Sequence, residues 1–140
     1  MRSVVLIAAT MIVGIPVLTS AQLAPSTNYT SIEVESGKSL QIGYYAQARK
    51  DCTPSKLPIV RVVETPALGT LTVRPAELKT DKVANCPELK LPAQVVSYQS
   101  RDKTIGSDNV KYSVTYPDGE LALYDVTIRI KEPPARENKL

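Results

Sequence analysis

The sequence predicts an all-β sandwich closed by a single disulfide, and three observations carry that prediction. The stretch 106–131 reads as two alternating strands around a Pro117-Asp118-Gly119 turn. Upstream of it, short β-branched runs follow one another between turn signals, with no convincing amphipathic helix beyond the N-terminal apolar run. Finally, the chain has two cysteines, Cys52 and Cys86, both far from that N-terminal run.

The hairpin organises the rest. Val110, Tyr112, Val114 and Tyr116 share one face of its first strand, with Lys111, Ser113 and Thr115 on the other. In the return strand Ala122, Tyr124, Val126, Ile128 and Ile130 oppose Asp125, Thr127, Arg129 and Lys131. Such a pair presents one continuous apolar surface, which a second sheet must cover.

In chain order, Arg2 precedes an uncharged apolar run over 4–18 and then Thr19-Ser20-Ala21. A basic start, an apolar centre and small residues at the end predict a secretory signal peptide cut after Ala21. An uncleaved membrane anchor is the alternative, disfavoured by the short run and by Gly14 and Pro16 within it. The mature domain is then 22–131, with 132–140 a disordered tail beginning at Glu132-Pro133-Pro134.

Residues 22–29, rich in Pro, Ser, Thr and Asn, read as an extended leader. Two strands follow around Ser36-Gly37-Lys38, the first with Ile32 and Val34 inward, the second with Leu40, Ile42, Tyr44 and Ala46 inward and Tyr45 outward. A loop over 49–57 carries Cys52, and 59–65 makes the third strand. Pro66-Ala67-Leu68-Gly69 turns the chain into 70–73. Pro75, Pro87 and Pro92 make 74–92 irregular, with room for a helical turn over 76–79, and Cys86 lies there. A strand resumes at 93–100, with Val96 and Tyr98 on one face, and a loop over 101–107 leads into the hairpin. About seven short strands suit an immunoglobulin-like sandwich, with a small open barrel as the alternative.

The charge of +3 includes Arg2 and is scattered among acids, unlike the concentrated basic face of a nucleic-acid binder. The chain has no His, so imidazole acid–base chemistry and imidazole metal ligation are excluded. An even pair of cysteines in an exported chain reads as a Cys52–Cys86 disulfide. Loop-closure entropy assigns such a bridge roughly 3 to 4 kcal/mol, so its expected role is structural. Neither cysteine has the close partner or basic neighbour in sequence that redox cycling needs.

From Thr65 onward the chain resembles the immunoglobulin-like and cadherin-like repeat modules of bacterial envelope and secreted proteins. The matching residues are Pro66, Gly69 and Thr70 in a turn, then Tyr98, then Gly106, Asp108, Tyr112 and Val114 at the opening of a strand. Val110 and Ser100 depart from the pattern, and the cysteine-bearing insertion lies outside it. The resemblance implies a bacterial protein, periplasmic or secreted. The residues themselves, with no His, no glycine-rich phosphate loop and no clustered carboxylates, point to a non-catalytic module whose expected partner is another envelope protein or a cell-wall component, with no cofactor, no nucleic acid and no membrane span after cleavage.

Candidate sites are few. Asp108 is either a calcium ligand, as in cadherin-like loops, or an acceptor for backbone N–H groups of its own turn; the latter is expected, because other acids lie in different loops. Ser100-Arg101-Asp102-Lys103 matches the Ser-x-x-Lys pattern of penicillin-recognising enzymes but falls on a strand end rather than a helix. The enzyme alternatives are thus Ser/Lys or carboxylate chemistry, or thiol exchange at Cys52 and Cys86. Asn28-Tyr29-Thr30 is a glycosylation sequon only in a eukaryote. Tyr112, Tyr116 and Tyr124 are expected in the core with hydroxyls at its rim, and Tyr45 and Tyr29 exposed. Leu121 and Leu123 share parity with Asp125 and therefore point away from the core, unless a β-bulge near Glu120 or Ala122 turns them inward or a loop covers them. Leu121, Leu123, Asp108 and Tyr45 are the possible partner-binding residues.

Overall fold

A computed structural model describes Gly14 and residues 24–136. The signal peptide with its cut after Ala21, and the last residues of the tail, lie outside the described residues. Within them the chain forms seven strands and no helix: β1 (Ser26–Glu35), β2 (Ser39–Tyr45), β3 (Ile59–Glu64), β4 (Gly69–Thr80), β5 (Leu89–Ser100), β6 (Gly106–Thr115) and β7 (Leu121–Lys131). A four-stranded sheet in the order β1-β7-β6-β3 faces a three-stranded sheet in the order β2-β5-β4. This is the immunoglobulin-like sandwich, closed by the Cys52–Cys86 disulfide.

The hairpin β6–β7 is its centre. Its antiparallel register runs unbroken from Gly106↔Ile130 to Thr115↔Leu121, so the alternation in sequence maps directly onto faces. Ala122 of β7 is buried, and Val110, Tyr112 and Val114 from β6 with Val126, Ile128 and Ile130 from β7 form one buried cluster with Val96 and Tyr98 of β5. Each such side chain contributes roughly 1.5 to 3 kcal/mol by leaving water.

β1 begins at Ser26, inside the stretch that reads as a leader, and runs parallel to β7 from Ser26↔Ala122 to Glu35↔Lys131. An edge strand can be polar on both faces, and Thr and Tyr suit a pleated backbone, so this segment pairs without burying much. On its outer face Glu33 pairs with Arg129 and Lys131 across the strand.

Two expectations fail here for identifiable reasons. Residues 76–79 are not a helical turn but part of β4, which pairs with β5 from Gly69↔Ser100 to Thr80↔Leu89. The prolines tolerate this because Pro75 is on an edge strand, and Pro92 lies beyond Tyr45↔Gln94, where β2 has already stopped. Buried positions on β5 also change parity, from Tyr98 and Val96 to Ala93 and Leu91, with no break in the β4–β5 register. The two halves of this long hairpin therefore bury opposite faces.

The second failure is the exchange of Tyr44 and Tyr45. β2 carries an extra residue between Gln41↔Ser97 and Gly43↔Val96, and this bulge flips every side chain after it. Tyr45 is 7% exposed, in the core, while Tyr44 is 56% exposed, on the outer face.

Candidate functional site

The two ends of the sandwich are built differently. One end gathers three short connections, β1–β2, β3–β4 and β5–β6, and the Asp108 carboxylate is its centre. Oδ1 accepts from the backbone N of Ala67 (2.9 Å) and of Asn109 (3.0 Å), and Oδ2 from the backbone N of Leu68 (2.8 Å) and the Tyr98 hydroxyl (2.8 Å). Burial opposes ionisation of Asp108, but those donors, from Ala67, Tyr98, Leu68 and Asn109, outweigh it and hold the pKa below the usual carboxylate range. The same contact, after burial itself, raises the Tyr98 pKa.

Asp108 is thus a staple with all its near donors internal: two from the Pro66 turn, one from Tyr98 and only Asn109 from its own strand. Its side chain is buried. The three sequence elements that carry the family resemblance, the Pro66 turn, Tyr98 and the Gly106–Asp108 strand opening, meet at this point. Gly69 belongs to it as well, since a Cβ there would come within 2.6 Å of the Tyr98 ring.

Ser100 and Ser36 complete this end. The Ser100 hydroxyl, buried, donates to the Glu35 carbonyl (2.7 Å) and accepts from the Lys38 backbone N (3.2 Å). Ser36 Oγ donates to the Arg101 carbonyl (3.2 Å) and accepts from the Thr104 backbone N (3.0 Å). Ser100 therefore holds a turn, and Lys103 sits in a loop with positive φ, not one helical turn from a nucleophile.

The opposite end gathers the connections 46–58, 81–88 and 116–120. The Cys52–Cys86 bridge, with Cα atoms 5.5 Å apart, ties the first to the second. Gln47 Nε2 donates to Asp118 Oδ2 at 2.6 Å and ties the first to the third. Two of these connections contain the same turn. In β6–β7, Gly119 N bonds to the Tyr116 carbonyl and Tyr116 N to the Glu120 carbonyl; in the 46–58 loop, Cys52 N bonds to the Arg49 carbonyl and Arg49 N to the Thr53 carbonyl. Asp118 and Asp51 each accept the backbone N two residues on.

Gly119 has φ of 91° and Cys52 has φ of 64°, so the left-handed position that glycine takes without strain is filled by a cysteine in the second turn. Sequence reading missed this second turn because the Lys50-Asp51-Cys52 run lacks the glycine that marks Pro117-Asp118-Gly119.

Beneath this end lies a cluster of tyrosines. Tyr45 and Tyr112 share a hydrogen bond between hydroxyls at 2.7 Å, and the Tyr112 and Tyr124 rings stack at 5.2 Å. Burial first, and then the bond to Tyr112, pushes the Tyr45 pKa up; burial does the same for Tyr112. These two hydroxyls pair inside the core instead of reaching its rim. Tyr45, expected on the surface, is buried.

The leucines behave as their parity predicts. No bulge interrupts β7, so Leu121, 38% exposed, and Leu123, half-buried, lie on the outer face. β7 is flanked by β1 and β6, so another chain can pack on this face but cannot pair with β7 along its edge. Leu121 and exposed Ile59 both pair with Thr115, in a row next to the loop end. Leu123 lines a depression of about 240 Å³ with Tyr29 and Val63, both well exposed. Sequence reading missed Ile59 and Val63, because only the strand order brings β3 to this face.

Among the described residues no group of three or more His, Cys, Asp or Glu converges to hold a metal ion, and no helix is long and apolar enough to cross a membrane. No family model matches the chain, and no curated protein does. One similar solved structure is described as PbICP-C in complex with falcipain-2. It is 12% identical, the match covers 80% of this chain and 96% of that one, and the TM-score is 0.35. A likeness that slight carries no argument about function.

Proposed function

We propose that this protein is a non-catalytic, exported binding module of a bacterial envelope, periplasmic or secreted, whose partner is another envelope protein or a cell-wall component. The observation that carries this reading is the contrast between the two ends. One end spends its polar groups on itself, whereas the other presents three connections held in place by a disulfide and one side-chain hydrogen bond. Loops fixed on a rigid scaffold are where recognition is usually placed, because their geometry is set before the partner arrives. The row Ile59–Thr115–Leu121 extends that end with apolar surface, and Leu123, Tyr29 and Val63 continue it along the outer face.

The test is a pull-down of the exported protein from its own envelope, comparing the natural chain with Leu121→Ser/Leu123→Ser. The reading expects the variant to keep its melting temperature within a few degrees and to lose its partner. Loss of several kcal/mol instead would make the leucines core residues. Unchanged stability with unchanged partners would remove this surface from the proposal.

A further inference from the structure

The outer face of the three-stranded sheet has a composition unlike the rest of the surface. Its strands pair in three rows: Ser39, Gln99 and Thr70; then Gln41, Ser97 and Thr72; then Tyr44, Val95 and Arg74. Rows two residues apart along a strand lie about 7 Å from each other and neighbouring strands about 4.8 Å, so the grid covers roughly 14 by 10 Å. A trough of about 480 Å³ runs over its β4 and β5 side, from Thr70 and Gln99 to Arg74 and Val95, and Tyr44 and Gln41 stand outside it on the β2 side. Hydroxyls and amides fill two of the rows, and no acidic residue stands in the grid.

The third row differs. Tyr44 is 56% exposed because the bulge in β2 turns it outward, and Val95 beside it gives an apolar floor. Arg74 is exposed at the other end of the row, and among the described residues no carboxylate forms an ion pair with it. The face is too polar for an interface between protein cores, which need a desolvated apolar centre. It is also too neutral to attract a polyanion along its length.

We infer that this face binds a carboxylate-bearing glycan. A sugar ring would stack its C–H face on Tyr44, its hydroxyls would exchange hydrogen bonds with Thr72, Ser97 and Gln41, and its carboxylate would pair with Arg74. An aromatic face is electron-rich and attracts C–H edges. The guanidinium fork matches a carboxylate in a bidentate pair. Charge complementarity selects the acidic sugar: one unpaired cation, no anion in the grid, and neutral donors and acceptors everywhere else.

The experiment titrates the full exported protein, labelled for NMR, with a xylotriose that carries a single glucuronate and separately with its carboxyl-reduced form, in which that sugar is a glucose. The acidic oligosaccharide is expected to shift the amides of β2, β5 and β4 along the three rows, at least ten-fold more tightly than the reduced one. Tyr44→Ala should weaken it ten-fold or more, and Arg74→Gln should reduce it to the level of the reduced oligosaccharide. Both side chains are exposed, and an unchanged amide spectrum in the free variants verifies that they fold. Equal affinity for the two sugars, shifts confined to the loop end, no shift at all, or binding that survives both substitutions would each overturn the inference. Leu121→Ser/Leu123→Ser serves as the control that separates this site from the loop end, since it should leave the titration unchanged.

Discussion

At the Asp108 end, one buried carboxylate and two serine hydroxyls satisfy the backbone of three turns at once. At the Cys52 end, three connections, two of them longer than any at the first end, are linked to one another by a covalent bridge and an exposed hydrogen bond. The first end gains its order from interactions that exist only in the folded state. The second gains it chiefly by restricting the unfolded chain, through loop closure. A fold can thus hold one end by a shared network of hydrogen bonds and the other by a covalent link between connections that shape their own turns.

The sharpest way to break this comparison is to remove its first half. Asp108→Ala leaves the part-buried backbone N of Ala67 and Leu68 and the buried Tyr98 hydroxyl without their partner. A loss of about 3 to 5 kcal/mol is expected in denaturant unfolding. A loss below about 1 kcal/mol would mean that water replaces the carboxylate and that the end is not stapled.

Removing the second half is next in size. Cys52→Ser/Cys86→Ser should cost roughly 3 to 4 kcal/mol. Cys52→Gly/Cys86→Ser should recover about 1 kcal/mol of that, because glycine takes the left-handed position that serine resists. If the two double variants are equally stable, the Cys52 turn relaxes once released and its likeness to the Gly119 turn is not enforced by the local backbone.

Acid should distinguish the ends as well. The pKa of Asp108 is depressed on folding, so its stabilisation is complete above the unfolded value of about 4 and drains away as pH falls below it. Asp108→Asn, measured by unfolding between pH 6 and pH 2, should therefore show a shallower acid loss than the natural chain. A parallel pair of curves would assign the acid sensitivity elsewhere. The smallest effect belongs to Gln47→Ala, which breaks an exposed bond to Asp118 and should change stability by less than about 1 kcal/mol.

How far the sequence disclosed these ends follows from the same physics. Where alternation is unbroken, as in β6 and β7, parity named the core residues Val110, Tyr112, Val114, Val126, Ile128 and Ile130 and placed Leu121 outside. The bridge was legible because a chain with a single pair of cysteines has one pairing to make. A bulge is one uncounted residue, so Tyr44 and Tyr45 exchanged faces with no mark in the local pattern. Proline misled over 74–92, because whether it blocks a strand depends on which edge is free, and that is set by the order β2-β5-β4. The partners of Asp108 were invisible for a related reason: Ala67 and Leu68 donate backbone groups, which any sequence supplies.

Amide hydrogen exchange, compared in the oxidised and the reduced protein, tests most directly whether the two ends are held independently. The account predicts that reduction strips protection from Cys52, Ser55 and Cys86, whose amides bond within the loop end. Ala67, Leu68 and Ser100 should remain as protected as the slowest core amides, exchanging only through global unfolding. If Ala67 and Leu68 instead lose protection together with Cys52 and Cys86, at a common rate faster than global unfolding, the ends form one cooperative unit and the contrast between them is wrong.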